Sequence, residues 1–386
     1  MSNQAVPRTL GICLLIGIAA LPDAMVPIAL NAAVMDRWSV SMAEAHWFSA
    51  IALVGAIGGL VLLRFLDARC KPGPLIAMAS IANAGFLMLL AMPISWPLAM
   101  VARCLCGGLD IMTVAVLLGL LERGDEAHAG KRYGPATLSL LLGLALGFVL
   151  GGVLAPRVGG GVFFVSALFS ILLAVAAGCG GGLLEQISAP QATKVIRVRY
   201  WPTLVFGFSD RALGAMLSVT GSLFLINELS LSETTVGTLL GILLLIMALG
   251  AWPAGFLIDR MGALPVRTMA VLGYVIGFSA LAFAMEMPFW ILIFAMMLMG
   301  ISGAGLAPAT YVLAARRARG SIDMGGVQAA GSIGYFIGLV VPAAVLSWDL
   351  QFAGIFLAAA TLYLLLNLPA IVAMAGWRAR AAISGT

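Results

Sequence analysis

The sequence predicts an all-α polytopic membrane protein with twelve transmembrane helices in two pseudo-symmetric six-helix bundles. Three observations predict it. The first is composition: 62% of the 386 residues are hydrophobic and 10% charged, with a mean hydropathy of +1.10, whereas soluble domains carry about a quarter charged residues. The second is an internal repeat. Asp67 and Asp259 stand 192 positions apart, Gly143 and Gly147 answer Gly334 and Gly338 at 191, and Arg123 answers Arg316 at 193. Repeats of that size in an apolar chain mark transport proteins built from two bundles. The third is the alternation of basic turns along the chain. The bundles are expected over 1–186 and 200–386, with a short polar linker at 187–199.

Each span follows from an apolar run long enough to cross about 30 Å of hydrocarbon. The first, 9–32, follows Arg8 and is too long for the core of a signal peptide, so it is kept as a span. Spans 46–66 and 75–93 flank a basic turn with Arg64, Asp67, Arg69 and Lys71; spans 97–121 and 135–155 flank Arg123, Lys131 and Arg132. Span 161–184 runs into the linker with Lys194, Arg197 and Arg199. Span 203–226 opens the second half, and 235–256 and 268–285 flank Asp259, Arg260 and Arg267. Spans 288–313 and 325–347 flank Arg316, Arg317 and Arg319, and 350–373 precedes Arg378 and Arg380. In this order 17 of 21 basic residues fall on one side, while Arg37 and Arg157 take the other. Lysine and arginine collect in cytoplasmic loops, so both termini are expected in the cytoplasm of a plasma (bacterial inner) membrane protein. Topology, not nucleic acid, accounts for the net charge of +5.

Charged groups inside an apolar span cost several kcal/mol unless a cavity or partner receives them, so each is a functional candidate. Five qualify: Asp23 in span 1, Arg103 and Asp110 in span 4, Asp210 and Arg211 in span 7. Arg103 and Asp110, seven residues apart, share one helix face about 10 Å apart. Depth along the helices puts Asp23 within reach of Arg103. Asp210 and Arg211 lie toward the cytoplasmic edge. The five cysteines lack metal-site spacing with histidine and read as small packing residues, so no metal or cofactor is expected.

Gly255-Phe-Leu-Ile-Asp259-Arg260-Met-Gly262, followed by Arg267, lies between two apolar runs. There Gly255 would let the helices approach and Gly262 would permit the reversal. The pattern resembles the loop signature of the major facilitator superfamily. Its N-terminal copy keeps Asp67 but has Leu63 and Cys70 where glycines belong. Arg103-Cys-Leu-Cys-Gly107-Gly108 resembles the family's span-4 motif. In proton-coupled members that arginine tunes the proton affinity of nearby carboxylates, a role the resemblance carries to Arg103 alone. Gly143, Gly147, Gly151 and Gly152 resemble the antiporter motif of span 5, with Phe148 in place of its proline.

The resemblance implies a fold in which spans 1, 4, 7 and 10 line a central cavity, with Asp23, Arg103, Asp110, Asp210 and Arg211 facing a small-molecule substrate. Asp23, Asp110 and Arg103 become the proton-coupling set, with Asp23 ahead of Asp110. If Arg103 meets Asp23 in one conformation only, the affinity of Asp23 for a proton differs between conformations. Asp67, Asp259, Arg260, Gly143, Gly147 and Gly151 become gating residues. Two histidines and no carboxylate cluster argue against a membrane-embedded enzyme, and packed repeats argue against a channel. Apolar interiors with isolated charges suit a small amphiphilic molecule, exported by alternating access at the expense of a proton gradient. The alternative is an anionic metabolite, such as a carboxylate or siderophore, carried in either direction and held by Arg103 and Arg211. The protein is expected to work as a monomer.

Overall fold

A computed structural model describes residues 5–66, 69–122, 129–180, 201–315, 321–347 and 351–383. Apolar runs become helices because a backbone in hydrocarbon must satisfy its hydrogen bonds internally. In chain order they are α1 (Ala5–Leu30), α2 (Met42–Leu66), α3 (Pro72–Ala91), α4 (Trp96–Glu122), α5 (Ala129–Val158) and α6 (Gly161–Cys179). The second half continues with α7 (Trp201–Ala215), α8 (Glu233–Met261), α9 (Ala263–Ala282), α10 (Phe289–Ala315), α11 (Ser321–Leu346) and α12 (Phe352–Ile383). Among the described residues eleven helices are long and apolar enough to cross a membrane. The twelfth span is α7, which continues through a π-turn at Met216–Gly221 into Ser222–Asn227.

A second π-turn, Asn31–Met35, carries α1 on to Asp36–Trp38, six residues past the expected end of span 1. Arg37, expected in a loop, therefore sits on that last turn. There it donates to the carbonyls of Leu90 (2.7 Å), Ala91 (3.0 Å) and Met92, capping the end of α3.

Contacts divide the chain into two compact units. Unit 1 comprises 1–191 together with 222–244, and unit 2 comprises 192–221 together with 245–386. This differs from a single cut at 187–199: the segment spanning the end of α7 and the start of α8 packs on unit 1. Ser222 Oγ donates to the Pro27 carbonyl at 3.0 Å, and Gly152 and Gly237 bring α5 and α8 backbone to backbone.

Within unit 1, α1 packs on α5 and α6, and α3 on α4 and α6. Within unit 2, α7 packs on α11 and α12, and α9 on α10 and α12. These are the same pairs six helices on, which is the repeat expressed as packing. The matched glycines do matching work. A Cβ on Gly143 would strike the Gly17 carbonyl of α1, and one on Gly334 the Phe208 carbonyl of α7. Unit 1 fills its core with Ile12, Ile16, Leu75, Ile76, Met112 and Leu117; unit 2 uses Phe206, Ile258, Leu264, Leu313 and Met374.

Candidate functional site

In unit 1, α1 carries Asp23 beside Pro22, and α4 carries Arg103. Arg103 Nη2 donates to Asp23 Oδ1 at 2.7 Å, the ion pair that helix depth suggested. The partners are unequal: the arginine side chain is 6% exposed and the aspartate 53%. Apolar packing holds the arginine from behind. Its guanidinium lies 5.8 Å from the ring centre of Phe48, which stacks on Trp96 and meets Phe163 edge-on. Its Nε is buried without a hydrogen-bond partner among the described residues.

Asp110 lies two turns further along α4. It takes a hydrogen bond from Asn83 Nδ2 of α3 at 2.6 Å, not from Arg103. Asn83 Nδ2 also reaches Ser170 Oγ of α6 at 3.4 Å; Ser170 donates to the Ser166 carbonyl, and Ser166 to that of Pro22. A polar thread thus runs from Asp110 back to the residue before Asp23. Sequence reasoning missed Asn83, Ser166 and Ser170. The available signal was a lone asparagine inside an apolar run, which needs a partner as surely as a charge does.

Unit 2 corrects one expectation, the place of Arg267. Asp210 does not pair with its neighbour Arg211; it pairs with Arg267, whose Nη1 and Nη2 reach both carboxylate oxygens at 2.8 Å. Arg267, read from sequence as the base of a polar turn, is 0% exposed because α9 begins at Ala263 and turns position 267 inward. It also donates to Thr310 Oγ1 (2.6 Å) and Asn367 Oδ1 (2.7 Å), and its guanidinium lies 4.0 Å from the Phe206 ring centre. Tyr363 OH donates to Asp210 at 2.8 Å, and Asn367 Nδ2 donates to Ser209 Oγ at 3.0 Å. Asp210 is thereby held from α9 and α12 at once. Arg211 takes no part in that pair. It is exposed and lines a small pocket of about 60 Å³ with Asp210, Thr310, Tyr311 and the small residues Gly207 and Gly331.

The antiporter-like glycines face α1. A Cβ on Gly147 would come 2.8 Å from the Leu21 carbonyl, and one on Gly151 2.6 Å from that of Met25. Gly262 has φ +89°, a conformation that costs other residues dearly, so the reversal after α8 needs glycine there. Gly255 corrects another expectation: a Cβ there would meet nothing within 4 Å. It lies on a face of α8 that also exposes Trp252 and Phe256, not at a helix contact. Asp259 and Arg260 are exposed on the last turn of α8, and Asp67 lies outside the described residues.

Residues 203–384 match the family model of the Major Facilitator Superfamily. The fold matches that of solved transporters over nearly the whole chain. A point mutant of the nucleoside transporter NupG aligns with a TM-score of 0.74 at 15% identity, covering 95% of this chain and 99% of that one. A bacterial homologue of the human lysosomal transporter Spinster, in an inward-facing and occupied conformation, aligns at 0.67 and 13%, covering 97% of each. The second half of the chain thus carries the superfamily's sequence pattern, and nearly the whole chain has the fold of these solved transporters. No curated protein matches its sequence.

Proposed function

We propose that the protein is a proton-coupled secondary transporter that exports a small amphiphilic organic molecule, with Asp23 as the proton carrier. One observation supports this reading above the others: two intramembrane carboxylates of one chain are held in opposite ways. Asp210 accepts from Arg267 twice and from Tyr363, and is largely shielded. Asp23 has a single donor among the described residues and is half-exposed. A carboxylate that exchanges protons during a cycle needs access and a partner it can lose, and Asp23 has both. Asp110, with one amide donor, ranks second. Asp259 and Arg260 at the end of α8, Asp67 in the matching turn, and the seam of Gly143, Gly147 and Gly151 serve as gating elements. The protein works as a monomer in a bacterial plasma membrane, with both termini cytoplasmic.

The test is flux in proteoliposomes with an imposed pH gradient, across a panel of organic cations, carboxylates and nucleosides. Asp23→Asn abolishes gradient-driven accumulation yet keeps substrate binding, now independent of pH. Wild-type accumulation by that variant against a concentration gradient would refute the assignment.

A second reading, transport of an anionic metabolite, is favoured by Arg211. The charge of Asp210 is already matched by Arg267, so the pocket wall carries Arg211, which has no acidic partner among the described residues, beside the Thr310 and Tyr311 side chains. Under that reading Arg211→Gln lowers carboxylate flux at least tenfold while leaving cation flux untouched.

A further inference from the structure

Residues 222–244 come from the second half of the sequence and belong to unit 1. Two helices therefore pass from one unit to the other. α7 does so at Gly221–Ser222, the end of its π-turn, a feature that recurs at functional bends. α8 does so at Leu244–Leu245, inside an unbroken α-helix. Its first turns are held on unit 1 by polar and backbone contacts. Thr234 Oγ1 donates to the Gly152 carbonyl at 2.9 Å, and a Cβ on Gly152 would lie 2.5 Å from the Glu233 carbonyl. Glu233 itself turns its carboxylate onto α1: Oε1 accepts the amide hydrogen of Ala32 at 3.1 Å, within the π-turn Asn31–Met35.

Glu233 is 8% exposed, and its Oε2 is buried with no hydrogen-bond partner among the described residues. Burying half a carboxylate unsatisfied is a poor way to gain stability. It suits a contact that is made and broken. We propose that Glu233 is a positioning residue of the transport cycle, a latch whose carboxylate oxygen grips the amide of the α1 π-turn and must release it once per cycle. α7 has a π-turn at which to bend. α8 has no such break where it crosses, its Pro253 lying two turns further on in unit 2, so it leaves unit 1 as a rod and the Glu233–Ala32 contact is where it lets go. The inference rests on alternating access alone and is independent of which carboxylate carries the proton.

The test measures a distance and needs no substrate. In the full-length protein with its five cysteines replaced, spin labels go on Val158→Cys of α5 and Ile242→Cys of α8, both exposed. Pulsed electron resonance then reports the ratio of long to short separations. Glu233→Ala should raise that ratio at least tenfold, or about 1.4 kcal/mol. Glu233→Gln retains an acceptor oxygen and should stay within threefold of wild type. Gly152→Ala, which pushes on the Glu233 carbonyl from α5, should shift the ratio as Glu233→Ala does, and it decides the matter if Glu233→Ala elutes as aggregate. An unchanged ratio in Glu233→Ala or Gly152→Ala, or a glutamine variant as shifted as the alanine one, overturns the latch.

Discussion

Asp210→Ala is the most demanding perturbation of unit 2, because of the charge it leaves behind. Arg267 would keep Thr310, Asn367 and the Phe206 ring, but its guanidinium, 0% exposed, would lose its counter-ion. Removing one partner of a buried pair costs about 3–5 kcal/mol, since the remaining charge cannot reach water. At about 2–4 °C per kcal/mol for a domain of this size, melting should fall by roughly 10 °C. The assay is thermal unfolding in detergent, followed by the loss of the monodisperse elution peak. Asp210→Asn keeps one acceptor and should lose about half as much. Asp210→Leu combined with Arg267→Met removes both charges and should recover most of the loss, as paired replacements of buried ions do. If Asp210→Ala melts within about 2 °C of wild type, less than a single kcal/mol would cost, or the double variant is no better than the single one, the pair is not the keystone its geometry indicates.

Other variants probe the same geometry. Asn83→Leu strips Asp110 of its amide donor and should cost about 1–3 kcal/mol, seen as a lower melting temperature. Gly143→Leu places a side chain against the α1 backbone and should abolish monodisperse expression, whereas Gly255→Leu, facing open space, should express and melt as wild type. Under the proposed gating role, Asp259→Asn should increase thiol labelling of cysteines introduced near the α8 end that carries Asp259, while leaving the melting temperature unchanged.

Much of the fold can be read from the sequence because hydrocarbon leaves few choices. Runs of about twenty apolar residues have to be helices, and the 191–193 repeat indicated which helices would pack alike, as the Gly143 and Gly334 contacts bear out. The Asp23–Arg103 pair was readable from rise per residue alone. Rotation escaped. Arg267 lies at the edge of an apolar run, where hydropathy cannot tell a residue facing the turn from one facing the core. The partner of Asp210 therefore went unnamed, because it stands 57 positions away. Asn83 and Asn367 escaped because they are uncharged. Neither π-turn leaves a compositional trace, so the reassignment of 222–244 to unit 1 was beyond sequence reasoning.

The π-turns also set the angular phase of the helical segments beyond them. A turn of α-helix advances each residue by about 100°, so a single residue accommodated in a wider turn rotates all later side chains relative to an unbroken helix. In α7 the π-turn covers Met216–Gly221, and Ser222 comes directly after it with its hydroxyl on the Pro27 carbonyl. Deleting one residue between 216 and 221 would let the segment wind as plain α-helix, turn Ser222–Asn227 by about 100° and draw it in by about 1.5 Å. The apolar composition would hardly change and the span would still cross the bilayer, but Ser222 would point away from α1. Phase, which hydropathy does not record, therefore decides which partner the end of this helix meets.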